Sequence, residues 1–328
     1  MYKDTYDYQL PPDLRQKGCY FEDPTRIFNS VCVINRTLDP FCVVQVCLFS
    51  LLHSQNNVSD CTIISSMISC ALYESRFKKP LISGILYPQA NNQPAVNRFG
   101  KYYIRLFFNG IPRRVEVDHR ILIKPNHRPV GTFSKVDGEL WPSLIEKAFL
   151  KAHGGFGYHG GNGCQDTYIL TGWIPENINL KDETEGNISQ IWTRLYRAFR
   201  CVFHPSVECR AGDCVITSGT TADITEDDEK RLGLGSSHCY CVCRVGEEER
   251  CDVVGGSRRP AIDSVAESVG IRVMERKVLL SGSTELDAGD TSRNEKRIRC
   301  RNCVLTICNV QIIRVLTTVC SGWSSATS

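Results

Sequence analysis

The sequence predicts an α+β fold, on three observations: a helical stripe, a tight hairpin and an alternating strand. The stripe follows residue 61 in QNNVSDCTIISSMISCALYESRF (residues 55–77), where Ile63, Ile64, Met67, Ile68, Ala71 and Leu72 recur with a period of about 3.6. The hairpin is KYYIRLFFNGIPRRVEVD, two alternating runs around Asn109-Gly110, the dipeptide that best suits a two-residue turn. The strand is HCYCVCRV, in which Cys239, Cys241 and Cys243 alternate with Tyr240 and Val242.

The elements follow in order. Residues 1–40 show no periodicity, with Tyr, Asp and Pro dominating the first dozen, and are expected to form an extended arm. Residues 41–52 (FCVVQVCLFSLL) are a dense apolar run that suits a buried helix or a buried strand equally. At about 12 residues it is too short to span a bilayer. Asn57, Ser59 and Asp60 are good N-cap types, so Cys61 falls in the first turn of the helix. Free N–H groups and the positive dipole end favour a thiolate there. Gln55, upstream of it, can offer a side-chain amide to an oxyanion formed at the sulfur. On its own, Cys61 reads as one more buried core thiol.

Residues 81–87 form a short apolar piece ended by Pro88, and residues 90–100, rich in Asn, Pro and Gly, read as a loop. Residues 139–153 form a second amphipathic helix, with Leu144, Ile145, Ala148, Phe149 and Ala152 on one face and Gly154-Gly155 at its end. A glycine-rich turn region and a short apolar segment follow through residue 176, and residues 191–199 look helical.

Composition sets limits. The hydrophobic fraction of 42% and charged fraction of 23% are those of an ordinary globular protein. The net charge of +3 is too weak to argue for a nucleic-acid partner. The opening MYKDTYDYQL has no apolar secretory core, so an intracellular setting is expected and the 18 cysteines are read as free thiols. Cys300-x-x-Cys303 with Cys308 lacks the second pair that a structural zinc site needs.

The order QxxxSDC, NGIPRRVEVD, LWPSLIEKAFLKAHGG and LTGWIPE resembles the catalytic core of calpains. The chain is most similar to the atypical PalB-like (calpain-seven type) branch, where Thr62 suits the position that conventional calpains fill with Trp. The resemblance implies a papain-like core of two lobes, a helical lobe carrying the cysteine and an antiparallel-β lobe carrying the histidine. It implies Cys61 as nucleophile, Gln55 in the oxyanion hole, and His238, opening the strand of alternating cysteines, as catalytic partner. Without it, His238 is a loop histidine. The implied activity is that of a calcium-dependent-type cysteine endopeptidase acting on protein or peptide substrates. Conventional calpain cores bind calcium through loop carboxylates. The matching loop here carries Gln165-Asp166 instead of a clear acidic set, so no cofactor is expected, with calcium left open.

The chain departs from the family in several respects, two of which bear on the site. The orienting Asn of an Asn-Pro-Trp motif is missing, since no Asn precedes a Pro. After about Val245 the charged and Ser/Gly-rich texture matches nothing in the family and has the look of an altered reading frame. The resulting division is an arm (1–40), a Cys lobe (41–175), a partial His lobe (176–245) and a divergent tail (246–328). The alternative function is an inactive calpain-like fragment that binds peptides in its cleft.

Overall fold

The computed structural model describes residues 1–36, 38–46, 60–158, 160–179, 190–191, 214–222, 225, 236–247, 269–274, 296–300 and 309–314. In chain order the elements are α1 (Pro12–Gln16), β1 (Tyr20–Glu22), β2 (Val43–Val46), α2 (Cys61–Phe77), β3 (Leu86–Tyr87), β4 (Gln89–Ala90), β5 (Gln93–Pro94), β6 (Lys101–Phe108), β7 (Ile111–Asp118), β8 (Ile121–Ile123) and β9 (Gly131–Ser134). They continue with α3 (Trp141–Ala152), α4 (Gly163–Thr171), β10 (Ile174–Asn179), β11 (Cys214–Gly219), β12 (Cys239–Glu247), β13 (Val269–Met274), β14 (Lys296–Cys300) and β15 (Asn309–Arg314). The fold is α+β, with helices beside antiparallel sheets.

The first lobe is built on α2 and α3. Ile63, Ile64, Met67 and Ala71 of α2 are buried, as are Leu144, Ile145, Ala148 and Phe149 of α3, so the apolar stripes face a shared core. The hairpin β6–β7 turns at Asn109 and Gly110, both at positive φ (52° and 77°), which is why that dipeptide stands there. The ambiguous run resolves into a short 3₁₀ turn at Pro40–Cys42 and strand β2, paired with β9. Its residues from 47 onward lie outside the described ones.

Residues 1–40 are integrated into the same core. β1 pairs with β8, Leu14 is fully buried and Tyr8 nearly so. Burying one such leucine contributes about 1.5–3 kcal/mol. The arm is also held by polar contacts: the Asp4 N–H donates to Asp118 Oδ2 (2.8 Å), and Lys151 Nζ donates to Asp4 Oδ2 (2.7 Å). Further along, the Cys32 N–H donates to the Gly138 carbonyl (3.0 Å). Gly138 has φ +72°, and a Cβ there would lie 1.7 Å from the Ser30 carbonyl oxygen. Gly138→Ala is therefore expected to destabilise the fold by about 2 kcal/mol or more, read as a lower thermal midpoint, whereas Ala at the open Gly110 costs less.

The second lobe is a six-stranded antiparallel sheet in the order β10-β15-β11-β12-β13-β14. Its first strand in the chain starts at Ile174. The expected incomplete sheet differs from this one: β13, β14 and β15 come from the tail, and β15 fills the gap between β10 and β11. The helix expected over 191–199 lies almost wholly outside the described residues, as do Cys303 and Cys308. Among the described residues, no helix is long and apolar enough to cross a membrane, and no His/Cys/Asp/Glu group could hold a metal ion.

Candidate active site

The two lobes meet along one side of α2. Its apolar stripe faces the first lobe, and its hydroxyl-bearing side faces the second. Ser65 Oγ donates to Cys239 Sγ on β12 (3.0 Å), and Ser69 Oγ donates to the Ile216 carbonyl on β11 (3.1 Å). Ser66 Oγ accepts from Thr167 Oγ1 on α4 (2.8 Å). These serines are as buried as the isoleucines opposite, so α2 is enclosed on both faces.

Cys61 is the first residue of α2 and is buried. Asp60 occupies the N-cap position, but its side chain makes no cap bond. Asn57 and Ser59, the other expected cap residues, lie outside the described residues. The Asp60 carboxyl instead meets Glu146 of α3. Glu146 is buried and accepts from the Thr132 N–H (3.0 Å) and Thr132 Oγ1 (2.7 Å). Burial pushes the Glu146 pKa up, against the hydrogen bonds from Asp60 and Thr132. Two carboxyls in hydrogen-bond contact share a proton, so this pair carries less than its full charge. The first turn of α2 thus keeps its N–H groups clear of the Asp60 side chain.

His238 is half-buried in the turn that leads into β12. Its backbone is clamped by Thr220 at the end of β11: the His238 N–H donates to Thr220 Oγ1 (3.0 Å), and the Thr220 N–H donates to the His238 carbonyl (2.9 Å). Its ring meets the ring of buried Tyr240 edge to face, with centroids 4.8 Å apart. Cys239, the next residue, touches α2 one turn beyond Cys61. Burial pushes the Cys239 thiol up to about 12, with Ser65 opposing and the Cys61 and Asp166 charges adding to the rise. Cys239 is thus a neutral packing thiol. Burial likewise raises Cys42 to about 12 and Cys164 to about 11, and the cysteines with described side chains are free thiols.

The sequence profile of the calpain family cysteine proteases matches residues 43–257, well over half of the chain. The chain belongs to the calpain family. Among curated proteins it is 36% identical to human "Calpain-7" (Homo sapiens) over 213 residues, which is 64% of this chain and 25% of that protein. It is 32% identical to "Calpain-like protease palB" of Emericella nidulans over 199 residues, 59% of this chain and 22% of that protein. It is 30% identical to "Calpain-like protease palB/cpr-8" of Neurospora crassa over 245 residues, 74% of this chain and 24% of that protein. This calpain chain therefore spans about a quarter of the length of these curated relatives.

Of the three residues singled out in this calpain sequence, Cys61 opens α2 and His238 precedes β12, at two ends that the Ser65–Cys239 contact draws together. Gln55 lies outside the described residues. Thr220 and Tyr158 at this junction escaped the sequence reading, and Asp166 was weighed there only as a loop residue. Thr220 is adjacent to His238 only through strand pairing. Tyr158 and Asp166 lie beside Thr62 and Asp60 because α4, read as a glycine-rich turn and a short apolar segment, is a helix from Gly163 to Thr171. The Asn162 side chain, accepting from the Cys164 N–H (2.8 Å), caps its start. An Asn four residues ahead of a polar-to-apolar run was the signal available for that helix.

Proposed function

We propose that this chain is the protease core of an intracellular calpain-type cysteine endopeptidase, with Cys61 as nucleophile and His238 as its acid–base partner. The observation that carries this reading is the meeting of the α2 start, with Cys61, and the β12 start, with His238, through Ser65 and Cys239. The family match includes both residues. The Cys61 thiolate attacks a peptide carbonyl, favoured by the helix N-terminus and by imidazolium at His238. The carbonyl carbon–sulfur bond forms and the carbon–nitrogen bond breaks, with His238 giving its proton to the leaving amine. The Cys61 N–H and the Gln55 amide stabilise the tetrahedral oxyanion, and water then resolves the acyl-enzyme with His238 as base. The free thiols among the described cysteines fit a reducing, intracellular compartment.

With no Asn-Pro step in the sequence, the described contacts that hold His238 are the Thr220 clamp and the Tyr240 ring. No cofactor is assigned, and calcium is a variable of the test. The test is labelling with an epoxysuccinyl probe, mapped by mass spectrometry, with and without calcium. Selective modification of Cys61 that is lost in His238→Ala is the expected result. Labelling scattered over many cysteines sinks the catalytic reading and favours a peptide-binding calpain-like module, the reading that the missing Asn supports.

A further inference from the structure

We propose that the outer face of the β6–β7 hairpin, where Arg105 and Arg114 stand directly opposite one another, is a docking site for an extended, acidic segment of a partner protein. The proposal is independent of Cys61 and concerns binding alone.

The strand register fixes which side chains share this face. Tyr103 pairs with Glu116, Arg105 with Arg114, and Phe107 with Pro112. The alternate residues Tyr102, Ile104 and Leu106 are buried in the core, so this set points outward. Like charges directly opposite across a strand pair are destabilising. The two guanidiniums lean in opposite directions along the hairpin, Arg114 over the Tyr103 ring (4.5 Å to its centroid) and Arg105 over the Phe107 ring (5.9 Å). Among the described residues neither has a carboxylate partner, and Arg105 Nε is buried without a hydrogen bond. The acid on this face, Glu116, is taken by Lys101 (3.0 Å) and by the Tyr2 hydroxyl. Two flat cations are thus held on rings with their N–H edges unclaimed, an arrangement that receives carboxylates edge-on. An extended chain repeats the side chains of one side about every 6.8 Å, so acids about two to four residues apart reach both guanidiniums.

The Lys101 end of the face shows how such a segment lies. There the first residues of this chain cross the hairpin. The Tyr2 N–H donates to the Phe99 carbonyl (2.7 Å), Lys101 Nζ sits over the Tyr2 ring (4.6 Å), and the Asp4 N–H donates to Asp118 Oδ2 (2.8 Å). Arg105 and Arg114 lie further along the hairpin. β7 is an edge of its sheet, but Pro112 lacks the N–H that strand addition needs, so the contact is through side chains on the face. The exposed apolar residues Phe99 and Ile111 stand at opposite ends of the hairpin, about 30 Å apart at about 3.4 Å per residue, and give a membrane no joined apolar surface to take up.

The test measures the fluorescence anisotropy of a labelled peptide of about ten residues, alternating Glu and Ser, as the full chain is added. The control peptide carries Gln in place of Glu. The Glu peptide alone is expected to bind at concentrations up to about 1 mM, and more weakly as salt rises from about 50 to about 300 mM. Arg105→Gln combined with Arg114→Gln should weaken binding roughly tenfold, for two exposed ion pairs lost. Arg15→Gln combined with Arg128→Gln removes the same charge from two other exposed sites and should change binding by less than about twofold. Equal losses in the two double variants, equal binding of the Gln peptide, or absence of binding by the Glu peptide overturns the proposal. Stronger binding to phosphatidylserine vesicles or to single-stranded DNA than to the Glu peptide also overturns it. Should the double variant fail to fold, wild type carrying ¹⁵N-labelled arginine decides. An Arg105 Nε–H signal that moves with the Glu peptide and not with the Gln peptide supports the proposal, and an unmoved signal overturns it.

Discussion

Replacing Cys61 with Ala is expected to leave a folded chain and to lower cleavage of a fluorogenic protein substrate by about 10³-fold or more. The fold should survive because the change removes one sulfur at the start of a helix whose anchoring residues, Ile63, Ile64 and Met67, lie further along. His238→Ala should cost about as much, and the double variant no more than either single one, since nucleophile and acid–base partner act as a unit. Cys239→Ala is the control that separates the two neighbouring thiols. Its sulfur is neutral and accepts from Ser65, a packing contact, so activity should fall by no more than a few-fold. Equal losses in Cys61→Ala and Cys239→Ala, with loss of the folded signal in both, would assign Cys61 to packing.

The largest effect on stability is expected at Asp118. Its carboxylate is fully buried at the end of β7 and receives Lys147 Nζ, Arg120 Nε (2.7 Å) and the Asp4 N–H (2.8 Å). It joins the hairpin, α3 and the first residues of the chain. Asp118→Ala strands the Lys147 ammonium in the core, a loss of about 3–5 kcal/mol. Replacing Lys147 with Met in the same protein should recover part of that loss in chemical denaturation. Absence of any recovery would mean that the pair has little to do with the cost.

The pH dependence follows from the same site. Burial pushes the Asp118 pKa up, but the Lys147 charge and the Arg120, Lys147 and Asp4 hydrogen bonds outweigh it, and the carboxyl titrates below its usual range. Burial pushes Lys147 down to about 8 even against the Asp118 charge, so the pair is ionic across neutral pH. A carboxyl with a depressed folded pKa contributes stability above its unfolded value, and that stability is lost as pH falls through the folded one. Wild type should therefore lose stability on acidification more steeply than Asp118→Asn.

How legible the molecule was depended on how local each contact is. The α2 stripe and the Asn109-Gly110 hairpin were readable because a period or a dipeptide encodes them within a few residues. The start of α2 was placed correctly, but Asp60, at the cap position, makes no cap bond, because it turns to Glu146, 86 positions away. The first 40 residues showed no pattern because their anchors, such as Asp4 to Asp118, are set by tertiary partners and not by repeats. Ser65, Ser66 and Ser69 lie off the apolar stripe of α2 and drew no reading from the sequence. They are in fact buried against a second sheet and α4, and composition alone does not separate a solvent face from a hydrogen-bonded seam. His238 could be placed only through the family motif order, since its strand partner Thr220 carries no signal pointing back to it.

That hydroxyl-lined seam bears on how the two lobes come apart. Where α2 meets β11 and β12, serine hydroxyls bond a thiol and a main-chain carbonyl. Parting this seam exchanges those bonds for bonds to water and uncovers Val215, which belongs to the same apolar core as α2. Such an opening exposes less surface than complete unfolding, so it has a smaller heat-capacity change and a weaker dependence on denaturant. Amide exchange along the first turns of α2 should then proceed by a sub-global opening well below the free energy of complete unfolding. The first turn of α2, which carries Cys61, would be the part of the core that water reaches first.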